Sequence, residues 1–569
     1  MKKHYLFTLI FSLLFSYSYS QTTYYVATSA NGGSDGNPGT EASPFLTLDY
    51  AYSQSGSGDT IKIGPGTFAD DSEIYITQAI TIEGHGRDAT IFDGSSSASD
   101  EGFLILNATN GNQVTVKNMT IQDYHITSGG TERGGTAIRI GRPRGYSSTS
   151  WEGRDVDLIN IKFYNNKYED PGQSYDDGGA VYVMPTTSST NHDINIRQCL
   201  FYDNTADYRG GAIYSEDGTN MNIYNSVFVD NVSDWGGAVY FHDRSSSSSN
   251  STYNIYNITM YRNYARANDP DYNSGNLYYQ VDNVSSDQIN INIHNSIIMY
   301  AATGNVGSYN WDINTYTPSK AVVTMTYTYT RKLYQPDIDS YDTFTNTNEL
   351  LTGGTWPGIS GSDKDMYFKY TDNDDSGNYN SGDTAAKDSH AIGKVVANAT
   401  SVDVNGVTRP QGTGSDIGAY EYRNTWNGSV SNVWNNQSNW TLNTVPSTSS
   451  AYDSPLIPAS GSSQIDELTI TNFPQIADDD NTLDVIIDNL KINNGASLTI
   501  NKKGSLKLTE HLINNGTLTM KSDSQNFSSL IVEGNSYGET KHWYNGGNYG
   551  DDGSYDGNIT FQRFVADEG

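Results

Sequence analysis

Val156-Asp157-Leu158-Ile159-Asn160-Ile161-Lys162-Phe163 sets a frame that the chain repeats. The frame is apolar, any, apolar, any, Asn, small or apolar, any, large apolar. It returns as Ile194, Ile196, Gln198, Cys199, Phe201, and as Met221, Ile223, Asn225, Ser226, Phe228. Tyr253, Ile255, Asn257, Ile258, Met260 and Ile291, Ile293, Asn295, Ser296, Ile298 follow it. Upstream, Val114, Val116, Asn118, Met119 and Ile121 give an earlier copy. The copies lie about 27 to 42 residues apart, and self-similarity at such a period is a solenoid signature.

The phase within the frame says which solenoid. Before the Asn, apolar and polar residues alternate, as in a strand with one buried face. After it the alternation restarts one position out of step. A slip of one residue exchanges the faces of a strand, so the chain must turn a corner there. Asn tolerates the left-handed conformation that a one-residue corner needs. Stacked coils would set these amides above one another, and an internal Asn ladder is expected from Asn118, Asn160, Gln198, Asn225, Asn257 and Asn295.

A second element follows in three copies. Phe163, Phe201 and Phe228 precede Asn166, Asn204 and Asn231 by three residues. Then come Gly178-Gly179-Ala180-Val181-Tyr182, Gly210-Gly211-Ala212-Ile213-Tyr214 and Gly236-Gly237-Ala238-Val239-Tyr240. A degenerate copy runs from Met260 and Asn263 to Gly275-Asn276-Leu277-Tyr278. The Gly pair permits a tight turn into the next strand. Three short strands and three turns per repeat make one coil of a parallel β-helix. The pairing of Phe-x-x-Asn with Gly-Gly-Ala-(Ile/Val) resembles the repeats of the polymorphic outer-membrane protein family, whose members are surface β-helix passengers.

The N-terminal region adds a leader and a cap. Lys2 and Lys3 precede an apolar run from Tyr5 to Phe15, and Ser18 and Ser20 precede Gln21. Residues 1–20 therefore read as a signal peptide. Tyr24-Tyr25-Val26, Gly36-Asn37-Pro38-Gly39-Thr40 and Ser43-Pro44-Phe45-Leu46-Thr47-Leu48 come next. Gly58-Asp59-Thr60-Ile61-Lys62-Ile63 and Gly64-Pro65-Gly66-Thr67-Phe68 continue the pattern. This segment resembles the start of secreted pectate-lyase-like β-helix proteins, which implies a capping helix at about Leu46 to Ser53. Physically, an open end of a parallel coil exposes apolar core and unpaired strand edges, so a cap is required.

Composition bounds the partners. The 569 residues carry a formal charge of -32, with a pI of about 4.4. Nucleic acid and anionic membrane both need a basic face, so neither is an expected partner. No later stretch is apolar enough to span a membrane. Cys199 is the single cysteine, so no intrachain disulfide forms. It sits at an inward position of the frame and is read as a small core residue. No organic cofactor is expected, and the protein is expected to be monomeric.

Four groups of residues are candidates for chemistry. The residue between the repeat's Phe and Asn is Asn165, Asp203, Asp230 and Arg262 in turn. Stacked, Asp203 and Asp230 would lie about 5 Å apart. Two carboxylates that close can hold Ca²⁺, share a proton or act as an acid/base pair, with Arg262 one coil on; solvated turn residues give the same pattern. Tyr182, Tyr214, Tyr240 and Tyr278 form the second group. If Val181, Ile213, Val239 and Leu277 face inward, these tyrosines face outward. They then stack against sugar rings in an exposed stripe, or stiffen the sheet as a cross-strand ladder. The third group is Arg133, Arg139, Arg142, Arg144 and Arg154 in an insertion. Either it grips an acidic polysaccharide or it pairs with local acids such as Glu132, Glu152 and Asp155. The fourth is Asp372 to Asp383, D-N-D-D-S-G-N-Y-N-S-G-D. Asp372, Asp374, Ser376, Asn380 and Asp383 place oxygens at the ligand positions of a Ca²⁺ loop, with Gly377 at its sharp turn. Ca²⁺ is thus the one cofactor the sequence suggests.

Arg409-Pro410-Gln411-Gly412 and Asp416-Ile417-Gly418-Ala419-Tyr420-Glu421-Tyr422 look like the terminal signature of secreted bacterial β-helix proteins with a variable C-terminal anchor. That resemblance implies the end of the helix, with a separate module beyond. Trp426, Trp434 and Trp440 open the module, and strand-like pairs recur from Leu490 and Ile492 to Leu530 and Val532. It resembles spacer modules that precede a type IX secretion sorting domain. No sorting domain follows Phe561-Gln562-Arg563-Phe564, so the sequence is expected to be a piece of a longer chain or to be anchored otherwise.

The sequence thus predicts an all-β protein: a right-handed parallel β-helix over 21–422, then a smaller β-rich module over 423–569. There is no His/Ser/Asp set, no Cys/His metal spacing and no phosphate loop. Two functions are open. One is a secreted or surface protein, without catalysis, that binds a polysaccharide or cell-surface glycan, as in adhesion. The other is a Ca²⁺-assisted polysaccharide lyase or a glycoside hydrolase working in the helix groove.

Overall fold

The computed structural model describes residues 21–341 except 70–72, 97–101, 108–112, 128–133, 142–154, 171–175, 185–191, 217–218, 244–250, 268–273, 282–288, 300, 304–310, 316–320, 327 and 331–339. It further describes 403–404, 409, 416, 418–421, much of 423–532, and 558–562. The predicted leader and the Asp372–Asp383 loop both lie outside the described residues.

One coil shows how the frame folds. His192–Arg197 is a strand with Ile194 and Ile196 buried. Gln198 turns the corner at φ 58°, and Leu200–Tyr202 continues on the next side. Asp203 turns again at φ 55°, and Thr205–Ala206 follows. Gly210, at φ 60°, leads into Ile213–Glu216, and the next coil opens at Thr219. The two glycines of each pair serve different needs. The first takes a positive φ, at Gly178, Gly210 and Gly236. The second admits a neighbouring coil: a Cβ on Gly211 would lie 2.3 Å from the Gly237 carbonyl oxygen.

Coils stack in parallel register, Asn195 beside Asn222, Asn254 and Asn292 in turn. The result is an 18-stranded sheet that wraps the Asn corner, an 8-stranded second sheet and a 6-stranded third sheet. Every named strand pairing among the described residues is parallel. This is the right-handed parallel β-helix. Its centre is one apolar cluster running from Val26 to Met325. Within it Phe163 stacks on Phe201, and Phe201 on Phe228, at 4.7 and 4.6 Å between centroids. Cys199 is buried there, and burial pushes its thiol up to about 12. At the N-terminal end a helix, Leu48–Gln54, buries Leu48 and Ala51 against the first coil. Thr47 caps it by accepting from the Tyr50 amide at 3.2 Å.

The interior amide ladder departs from expectation. The frame's Asn residues do take the corners, at φ 60° for Asn118 and 54° for Asn160, and Asn160 donates to Asn118. The unbroken interior chain belongs instead to the Asn three residues after the repeat's Phe or Met, and it is extended by Asn276 and the Asp312 carboxylate. Asn166, Asn204, Asn231, Asn263, Asn276 and Asp312 each donate to or accept from the next at 2.8 to 3.1 Å. The reason is position. This second Asn points into the coil, where its oxygen also accepts a backbone N–H and its nitrogen also reaches a carbonyl of the preceding coil.

Asp403, Gly418 and Ala419 lie back along the Asn corner. The Gln198 amide donates to the Asp403 carbonyl, Gly418 N–H to the Asn295 carbonyl, and Ala419 N–H to the Thr259 hydroxyl. Beyond them, strands build three smaller parallel sheets. Ser505 stands beside Asp484, 21 residues apart, so this coil is shorter. Trp426, Trp434 and Trp440 are fully buried in its core.

Candidate functional site

The sequence-predicted residues fall into distinct environments. Asp203, Asp230 and Arg262 share one corner column, each at positive φ. Arg262 donates to both oxygens of Asp230, at 3.0 and 2.6 Å. The hydrogen bond to Asp230 raises the Arg262 pKa further, so this arginine stays a cation. Arg139 is buried and pairs with Glu73 at 3.2 Å, an acid from an earlier coil than the local ones expected. Arg133, Arg142, Arg144 and Arg154 lie outside the described residues.

The expectation of an exposed tyrosine stripe is corrected. Tyr182, Tyr214, Tyr240 and Tyr278 do point away from the apolar centre, as the alternation requires, but all four are fully buried. They pack on one another at 5.5, 5.7 and 4.9 Å, with Met184 and Trp235 beside them. Tyr214 donates to Glu216 at 3.1 Å and shares a hydrogen bond with His242 Nδ1, also at 3.1 Å. A second layer of side chains thus covers the outer face of the second sheet. Alternation fixes which way a side chain points, and leaves open what packs above it.

Near the turn before that sheet, Asp176 is wholly buried, with one oxygen accepting from the Asp170 N–H at 2.8 Å. Burial, with Asp170, Asp207 and Asp177 nearby, pushes its carboxyl up to about 7. The folded state then holds a proton that the unfolded chain, near 3.8, gives up earlier. Stability is highest below the unfolded value and falls as pH rises toward 7. Asp176→Asn should therefore raise the urea midpoint at pH 8 and leave it nearly unchanged at pH 4. An equal shift at both pH values would refute this.

The outer face of the first sheet, built from the "any" positions of the frame, is the half-exposed candidate surface. Two rows run along it, one residue type per coil. The first is amide. Asn195 donates to Asp157, Asn222 to Asn195, Asn254 to Asn222, and Asn292 to Asn254, at 2.8 to 2.9 Å. All four bonds point the same way, toward the Asp157 carboxylate, which also accepts from Gln113 and Arg197. Bonds in such a chain polarise one another. A carboxamide has two donors and two acceptor sites. The ladder uses one of each on Asn195, Asn222 and Asn254. One N–H and one lone pair per coil are left on a half-exposed face, at the coil spacing of about 4.8 Å.

The second row is Arg197, Tyr224, Tyr256 and His294. Tyr224 and Tyr256 stack at 5.2 Å and 12°, Tyr256 and His294 at 4.9 Å and 27°. Ring planes in contact are about 3.5 Å apart, so rings whose centres are this distant must slide sideways by about 3 to 4 Å. Part of each ring face stays uncovered. Burial raises the pKa of both tyrosines and lowers that of His294. At pH 7 the row is one guanidinium, paired with Asp157, then two phenols that can donate and one neutral imidazole. Sequence reasoning passed over these residues. The signal was present, in an aromatic at the fourth frame position of two successive copies.

Comparison with known proteins gives three kinds of likeness. The Chlamydia polymorphic membrane protein repeat matches residues 198–216, from the Asn-corner position to the end of the Ile213–Glu216 strand. "Uncharacterized protein YwoF" of Bacillus subtilis (strain 168) is 28% identical over 109 residues, which is 18% of this chain and 23% of that protein. Among solved structures, a rhamnogalacturonan lyase is 14% identical, covers 53% of this chain and 86% of its own, and has a TM-score of 0.28. Pectate lyase Pel9A is 13% identical over 71% of this chain and 97% of its own, TM-score 0.30. A pectin methylesterase from carrot is 11% identical over 57% and 89%, TM-score 0.25. No helix among the described residues is long and apolar enough to cross a membrane.

Proposed function

We propose that this chain acts outside the cytoplasm as a β-helix that binds hydroxyl-rich glycan along the outer face of its first sheet. The observation that carries the reading is the pair of rows there. The amide row offers one spare donor and one spare acceptor per coil, and the tilted aromatic row beside it offers apolar face. Sugars present that combination, hydroxyls around a ring with C–H faces. Amides and phenols are neutral at pH 7 and hold hydroxyls without moving protons, so the reading is binding and not turnover. An extracellular location is supported by the leader-like residues 1–20 and by the match of one coil to a membrane-protein repeat. Ca²⁺ at Asp372, Asp374, Ser376, Asn380 and Asp383 remains part of the proposal, tested by its effect on melting temperature.

The test is affinity electrophoresis of the full chain in gels containing xylan, β-glucan or mannan, with reducing-sugar release followed in parallel. Tyr256→Ala should weaken retention about tenfold or more, the loss expected for a central aromatic contact. Tyr214→Phe, altered only at a buried ring, should leave retention unchanged. Equal retention of Tyr256→Ala and the parent, or glycan cleavage by the parent, overturns the reading.

A further inference from the structure

Arg209 stands at the turn between the third and second sheets, far from both rows of the glycan-binding face in the coil. Its residue bridges Asp177 on one side and Trp235 on the other. The side chain is only 7% exposed. Three rings surround the guanidinium: Tyr208 at 4.3 Å, Tyr240 at 5.2 Å and Trp235 at 5.6 Å. Tyr208 and Trp235 meet edge to face at 4.3 Å and are half-buried, while Tyr240 is fully buried. Nη2 donates to the Tyr208 hydroxyl at 3.3 Å. Nε and Nη1 have no hydrogen-bond partner among the described residues.

That arrangement is unusual for this chain. A guanidinium is always charged, and a buried charge without a partner costs several kcal/mol. Acids are plentiful, with 65 Asp and Glu against 33 Lys and Arg. Asp207 and Asp234, beside the same turn, are instead both taken by Arg266, at 3.0 and 3.1 Å. Asp177 attracts Arg209 electrostatically but makes no ion pair with it. Two of the local acids thus serve Arg266, and among the described residues two buried guanidinium N–H groups of Arg209 are left unused among aromatic walls.

We propose that Arg209, with Tyr208, Trp235 and Tyr240, forms a binding site for a monovalent carboxylate. Planar aromatic walls suit a planar anion, and two free N–H groups suit carboxylate oxygens. Phosphate and sulfate dianions fit less well, because Asp177, Asp207 and Asp234 lie around the site and repel the second charge. The carboxylate can come from a free organic acid or from a uronic acid unit of a glycan. This site is independent of the first-sheet face.

The experiment titrates the full chain with sodium galacturonate, sodium acetate and the methyl ester of galacturonic acid, reading calorimetry and melting temperature. Galacturonate should bind and raise the melting temperature, and the neutral ester should not. Binding of acetate to the same extent identifies a free-acid site, and binding of galacturonate at least tenfold tighter identifies a uronate site. Arg209→Gln should abolish binding. Should that variant fold poorly, Tyr208→Phe, which removes only the hydroxyl holding Nη2, should weaken binding about three- to tenfold with an unchanged far-UV circular dichroism spectrum. Tyr256→Ala should bind galacturonate as the parent does, so failure of the glycan-binding face is read separately. No binding by the parent, equal binding of the ester, or undiminished binding by both Arg209→Gln and Tyr208→Phe overturns the proposal.

Discussion

Arg409→Ala should destabilise the β-helix by about 3–5 kcal/mol, the range for removing one partner of a buried ion pair. Arg409 and Glu421 are fully buried and lie 3.4 Å apart. The arginine also donates to the carbonyls of Asp416 and Gly418, both at 2.8 Å. Glu421 in turn accepts from the Asp416 N–H at 2.9 Å. These bonds join Arg409, Asp416, Gly418 and Glu421 into a clasp. The clasp then grips the coils through Gln198, Thr259 and Asn295. Truncating the arginine takes away the buried countercharge of Glu421 and the donor to two buried carbonyls. The double variant Arg409→Met with Glu421→Leu should recover most of the loss, because no unpaired charge remains. Urea titration of the parent, Arg409→Met, Glu421→Leu and the double variant, followed by far-UV circular dichroism, gives the double-mutant cycle. A single-variant loss below about 1 kcal/mol would show that the clasp does not hold the coils.

Asn231→Ala should cost a similar amount, about 3–5 kcal/mol. The Asn231 oxygen accepts from both the Asn204 backbone N–H and the Asn204 amide, at 3.1 and 2.9 Å. Its nitrogen donates to the Phe201 carbonyl and to Asn263, at 2.9 and 2.8 Å. Removing it takes bonds from polar groups on both neighbouring coils inside the core. Asn222→Ala, on the half-exposed outer ladder, should cost less than about 1 kcal/mol, since water replaces the lost bonds there. Hydrogen exchange at the Asn204 amide should quicken sharply in Asn231→Ala and hardly change in Asn222→Ala. Equal costs at the two positions would mean that the interior ladder is not a special support.

The two ladders also show what could be read in advance. The apolar alternation, the slip after Asn160 and its equivalents, and the Gly pairs were enough to specify parallel coils, their corners and their stacking. These are local facts. A strand's period, a residue that accepts positive φ and a glycine that lets a carbonyl approach act through the backbone within one coil, and repetition then forces the next coil into register. The capping helix was expected from the resemblance of the N-terminal segment to other β-helix proteins and from the need to cover an open coil end.

Packing between segments was not legible. Tyr214 and Tyr256 look alike in sequence, each outward-facing on a strand of its coil. One is sealed beneath neighbouring side chains and the other is half-open, because burial depends on what lies above a face and no strand pattern encodes that. Arg409 and Glu421 are twelve residues apart in a polar stretch, and Arg209 follows an ordinary turn Tyr. Their burial, and the pairing of one and the lack of pairing of the other, arise only when distant coils close around them. The sequence alone therefore determined the β-helix and its corners, through backbone geometry repeated coil by coil. The tertiary structure decided which aromatics reach solvent, which Asn column carries the interior ladder and which charges find partners, because those depend on contacts between residues far apart in the chain.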